Sequence, residues 1–151
     1  MQLVIMRHAH AQNQGPAGDH SRPLSSHGHA QVHETASFLK SHQLDVDYAI
    51  VSDAVRTTET FADLDIQAQV EFSKRAYNAS TQTLSQLVSE SPEECETVMV
   101  VAHNPGITDL ALSCGYNDVM STGTAVIVEW DGVPSDFISA DKHVIASFSP
   151  S

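Results

Sequence analysis

Positive charge is scarce in this sequence. Seven Lys and Arg stand against 19 Asp and Glu, a formal net charge of −12 at pH 7. Such a surface repels nucleic acid and anionic lipid, so neither is expected as a partner. It repels a phosphorylated ligand as well, so any anion site has to be built locally. Cysteine is nearly absent. Cys95 and Cys114 suggest no disulfide framework, and a cytoplasmic location is the expectation. No apolar run approaches the roughly 20 residues of a spanning helix. The start lacks the basic segment and apolar stretch of a signal peptide. What is there is 151 residues, 41% of them hydrophobic, which suits one domain, 1–151, with a core of its own.

With only four arginines, Arg7, Arg22, Arg56 and Arg75, their placement is informative. The apolar run Leu3-Val4-Ile5-Met6 reads as a buried strand ending at Arg7, with His8 next to it. A polar, Gly/Pro-bearing loop over 12–19 follows. Pro23 then holds Arg22 extended, and Ser25 or Ser26 caps a helix to about Ser41 with Val32, Ala36 and Leu39 inward. Tyr48-Ala49-Ile50-Val51 is a second strand, with Ser52 and Asp53 as caps for a helix over 54–64 that carries Arg56 in its first turn. Residues 69–72 form a weak strand. Ser80 caps a helix with Leu84, Leu87 and Val88 inward, and Arg75 reads as a solvated surface charge beside Lys74. The run from Thr97 to Ala102 is the clearest strand. It leads into His103-Asn104-Pro105-Gly106, where Pro105 suits the first helical position and Ile107, Leu110, Ala111 and Cys114 form a buried stripe. Strands over 125–130 and 144–148 close the chain, with a turn at Asp131-Gly132. The alternation predicts an α/β fold: a mostly parallel central sheet with helices on both faces, in three layers, and an antiparallel addition near the end.

In a parallel sheet the carboxyl ends of the strands share one edge. Arg7-His8, Arg56 and His103 all fall there, and Arg22 lies on a loop leaving that edge. Three of the four arginines then converge with two histidines in an acidic chain. Like charges gathered in this way persist when an anion, most simply a phosphate, joins them.

The pieces Met6-Arg7-His8-Ala9-His10-Ala11, Asp19-His20-Ser21-Arg22-Pro23-Leu24-Ser25, Val51-Ser52-Asp53-Ala54-Val55-Arg56-Thr57-Thr58-Glu59-Thr60 and Ala102-His103-Asn104-Pro105-Gly106 resemble, in order and spacing, the histidine phosphatase superfamily. The short length and Arg22-Pro23-Leu24 are most similar to the SixA-type phosphohistidine phosphatases of bacteria. The resemblance implies a phosphoglycerate mutase-like fold and a metal-independent phosphatase with no cofactor. It makes His8 the nucleophile that becomes phosphorylated. Arg7, Arg56 and His103 surround the phosphoryl group, and Arg22 supports it. The partner it implies is a phosphohistidine-bearing protein or a small phosphorylated substrate.

The chain departs from the family in three places. Ala9 stands where glycine is frequent, and Ser52-Asp53 where many relatives have Ser-Pro. Residues 72–89, where larger members carry a proton-donating acid, contain no Asp or Glu. That absence favours a leaving group needing little help, such as imidazole with its pKa near ~6.5. Three other readings stay open. A broad small-molecule phosphomonoesterase has the same motifs, and a phospho-ligand binding module with a silent site shares the anion cluster. A metal centre would draw on the nine histidines, with His29 and His33 spaced one helical turn apart, although no third ligand is evident. His10 and His20 either line the pocket mouth or are exposed loop residues.

Overall fold

The computed structural model describes residues 1–151. In chain order it runs β1 (Gln2–Arg7), a 3-10 turn (Asp19–Ser21), α1 (Ser26–Ser41), β2 (Tyr48–Ser52), α2 (Val55–Leu64), β3 (Gln69–Ser73) and α3 (Thr81–Ser89). It continues through β4 (Thr97–Ala102), α4 (Gly106–Ser113), β5 (Ala125–Glu129), a second 3-10 turn (Pro134–Asp136) and β6 (His143–Phe148). The six strands form one sheet in the order β3-β2-β4-β1-β5-β6. β3, β2, β4 and β1 are mutually parallel, while β5 runs antiparallel to both β1 and β6. The parallel sheet with an antiparallel addition is thus as expected.

Side chains alternate across a strand, and here the alternation divides the core in two. Leu3, Ile5, Val98 and Val100 pack with Leu84, Leu87, Ile107 and Leu110 under α3 and α4. Val4, Met6, Met99 and Val101 pack with Val32, Leu39, Phe61 and Leu64 under α1 and α2. The result is three layers, with β1 and β4 buried on both faces. This is why those strands read as unbroken apolar runs. The edge strands β3 and β6 are largely exposed and mixed in polarity.

The register aligns the functional edge. Arg7 pairs with Ala102 and Val51 with Val101, so His8, Ser52 and His103 leave the sheet side by side. Two glycines permit close approaches near that edge. A methyl at Gly28 would sit 2.0 Å from the His10 carbonyl oxygen, and one at Gly106 would sit 1.9 Å from that of Ala79. The first turns of α1 and α4 therefore press directly onto the loops around the site.

Three local expectations need correction. α2 starts at Val55, so Ala54 takes the cap position and offers no side-chain bond, while Ser52 and Asp53 stand before it and reach His103 and His20. α4 begins at Gly106, so Pro105 takes the cap position rather than the first helical one. β5 ends at Glu129, and Trp130 turns inward to donate its indole N–H to the Val133 carbonyl. Ser25 and Ser80 cap as expected, accepting bonds from the Gly28 and Thr83 amides. No helix is long and apolar enough to cross a membrane.

Candidate active site

His8 follows β1 and is almost wholly buried. Its Nδ1 lies 2.7 Å from the Ala9 carbonyl oxygen. A carbonyl only accepts, so Nδ1 carries the proton and Nε2 keeps a lone pair. Burial is the main cause that pulls the His8 pKa down to about 4, with Arg7, Arg56 and Arg22 adding to it and the bond to Ala9 opposing. The ring is therefore neutral at neutral pH. The Ala9 amide donates to Thr60 Oγ1, which donates to the Arg56 carbonyl, so the His8 backbone is tied to α2.

His103 follows β4, with its ring centroid 5.3 Å from that of His8. Its pKa is pulled down to about 3, first by burial and then by His8, Arg56 and Arg7, against a small opposing effect of Asp19. Its Nε2 lies 2.7 Å from Ser52 Oγ. Ser52 Oγ accepts from the Ala54 amide, and its hydroxyl proton has no acceptor other than His103 Nε2. Ser52 therefore donates, and the proton of the neutral His103 ring sits on Nδ1.

Arg7 donates from Nη1 to the Met120 carbonyl. Arg56, only 3% exposed, donates from Nη1 to the Asp19 carbonyl and from Nη2 to Asp19 Oδ2. Arg22 donates from Nε to Asp19 Oδ1 and from Nη1 to the Gln12 carbonyl. Across the molecule, four buried side-chain polar atoms lack a partner: Arg7 Nε, Arg56 Nε, His103 Nδ1 and Ser91 Oγ. Three of the four are donors in this one cluster. Buried donors without acceptors cost free energy, so their gathering makes this cluster the candidate place for an anion.

Asp19 is central here, whereas the sequence offers it only as the nearest alternative acid in the motif loop. Tyr77 donates its hydroxyl to Asp19 Oδ2, while Arg56 and Arg22 hold the same carboxylate. The bond from Tyr77 and then those arginines bring its pKa down to about 2. It is an ionised carboxylate seated on the cationic cluster. Tyr77 stands in the loop two residues after Arg75, yet its ring lies edge-on to His103 at 5.5 Å and beneath the Arg56 guanidinium at 5.9 Å. No local pattern signals this, since Tyr77, Asp19 and Arg56 lie on three separate segments.

The other titratable residues are placed as follows. Arg75 is on the surface, paired with Glu90. His10 meets Ser25, and His29 meets Asp63. His20 meets Asp53 at the rim of the site. No three His, Cys, Asp or Glu side chains come together as a metal site would require.

A model of the histidine phosphatase superfamily, branch 1, matches residues 3–78, half of the chain. The chain belongs to that superfamily. The match spans His8, Arg22 and Arg56 and stops before His103. An uncharacterised chloroplastic protein of Arabidopsis thaliana is 30% identical over 142 residues, 84% of this chain and 65% of that protein. An uncharacterised Mycobacterium tuberculosis protein is 29% identical over 107 residues, 71% of this chain and 68% of that one. Among solved structures, a chain from Nakamurella multipartitia assigned as the phosphohistidine phosphatase SixA superimposes with a TM-score of 0.89 at 26% identity, covering 99% of this chain and 95% of that one. The protein histidine phosphatase SixA complexed with tungstate gives 0.85 at 21% identity over 99% and 97%, a likeness of fold. This superfamily member is therefore SixA-like in architecture, and its fold is the phosphoglycerate mutase-like α/β sandwich.

Proposed function

We propose that this histidine phosphatase superfamily member hydrolyses phosphohistidine on a protein, through a phosphohistidine formed on His8. The observation that carries the reading is the set of buried, unpaired donors on Arg7, Arg56 and His103 around a neutral imidazole with a free Nε2. In the first step the Nε2 lone pair bonds to phosphorus, and the bond from phosphorus to the substrate imidazole breaks. Arg7, Arg56 and the Nδ1–H of His103 hold the equatorial oxygens, where charge gathers in the transition state. Arg22 supports from the loop. Water then displaces His8 and releases phosphate.

The preference for an imidazole leaving group has two supports. Residues 72–89 contain no carboxylic acid, and Asp19, the nearest carboxyl group, is ionised on the arginines and has no proton to give. The preference for a protein-borne substrate has one. Of the site's residues, Asp19 and Arg22 line an open surface groove with the 13–18 loop, whereas small-molecule sites usually enclose most of the ligand. The reading takes residues 1–151 as one cytoplasmic, metal-independent domain.

A substrate comparison in EDTA tests it. The kcat/KM should fall from phosphohistidine through aryl phosphates to alkyl and sugar phosphates, and mass spectrometry should find a phosphoryl group on His8. Equal turnover of sugar phosphates favours the broad phosphomonoesterase. Phosphate affinity without turnover favours a binding module, and activity lost in EDTA and restored by zinc favours a metal centre.

A further inference from the structure

A histidine–carboxylate pair on the rim has no part in the chemistry above. His20 Nε2 and Asp53 Oδ1 lie 2.8 Å apart. His20 directly follows Asp19, on which Arg56 and Arg22 converge. Asp53 directly follows Ser52, which holds His103. The Tyr77 ring bridges the two halves, edge-on to His20 at 4.9 Å and to His103 at 5.5 Å. His20 therefore stands one aromatic ring from a residue of the phosphoryl site. Its Nε2 is taken by Asp53, while its Nδ1 has no partner in the protein. The side chain is half exposed, whereas Asp53 is three-quarters buried and well placed to orient it.

We infer that His20, oriented by Asp53, is the proton donor to the leaving group, and that Nδ1 is the donating atom. The inference rests on the phosphatase reading above. In-line attack by His8 places the leaving group on the side of phosphorus opposite Nε2, and with His20 as the donor that side lies at the rim where His20 stands. As His8 Nε2 bonds to phosphorus, the bond to the leaving group breaks and its electron pair stays on the departing atom. The His20 imidazolium transfers its Nδ1 proton to that atom. Water then enters the vacated place. It gives a proton to neutral His20 as its oxygen bonds to phosphorus, and the Nε2–P bond breaks with its electron pair returning to His8. The cycle ends with inorganic phosphate, neutral His8 and a protonated His20. A donor of this kind suits an imidazole leaving group, which is weakly basic and needs only a modest acid. The titratable and charged groups around His20 are Asp53, the neutral Tyr77 hydroxyl and the Asp19 carboxylate with Arg56 and Arg22 upon it.

The test compares phenyl phosphate with p-nitrophenyl phosphate, whose leaving group is far less basic. His20→Gln should lower kcat/KM for phenyl phosphate by about a hundredfold and that for p-nitrophenyl phosphate far less. Asp53→Asn should shift the ratio in the same direction by a smaller factor. A pair that merely latches the loop would lower both substrates by one common factor. That result, or no change in either, overturns the inference. Phosphoenzyme mapping on the wild type keeps the two levels apart. A phosphoryl group on His8 together with equal falls overturns the His20 assignment alone, whereas no phosphoryl group on His8 overturns the underlying chemistry.

Discussion

Acid should destabilise this fold through its two buried imidazoles. Burial holds the pKa of His8 at about 4 and that of His103 at about 3, whereas both sit near ~6.5 in the unfolded chain. Between these values the unfolded state binds more protons than the folded one, so stability falls as pH falls. From pH 7 to pH 4.5 the loss is about 2.5 kcal/mol for each ring. The two together are on the order of 5 kcal/mol, a large part of the ~5–15 kcal/mol that holds a typical domain together. Urea unfolding followed by circular dichroism at both pH values measures it. His8→Gln has no titrating ring at that position, so its loss over this range should be about 2.5 kcal/mol smaller than the wild type's. Carboxylates elsewhere titrate alike in both proteins and cancel. An identical loss in wild type and variant would refute the claim that His8 is buried in neutral form. The same depression should keep His8 competent as a nucleophile down to about pH 4.

Three further outcomes follow from the contacts around the site. Ser52→Ala should release the His103 proton to either ring nitrogen and lower kcat by roughly tenfold or more, as one buried acceptor loses its donor; nitrogen-15 NMR of His103 would show the mixed tautomers, and an unchanged single tautomer would refute the role. Arg56→Lys should cost on the order of 3 kcal/mol in kcat/KM, because a lysine cannot reproduce the planar fork, and near-wild-type kinetics would show that the fork is unimportant. Asp19→Asn should lower the inhibition constant of inorganic phosphate several-fold, since it removes a carboxylate that now occupies Arg56 and Arg22; an unchanged constant would mean that the carboxylate does not compete.

The strand and helix order, the parallel sheet and the edge that gathers Arg7, His8, Arg56 and His103 were all legible in the residues, because they follow from local signals. Apolar runs with β-branched residues mark β1, β2 and β4, Ser25 and Ser80 mark helix starts, and the topology of parallel strands does the rest. What only the tertiary structure decided is how polar groups far apart in the chain pair with one another. Ser52 looks like a helix cap, yet it turns to His103, 51 residues away. Asp53 looks like another cap, yet it meets His20. Tyr77 has no pattern around it and still closes on Asp19. Hydrogen bonds and ion pairs act over about 3 Å, so they depend on the final placement of separate loops. Hydrophobic periodicity is written along each segment and survives without that placement.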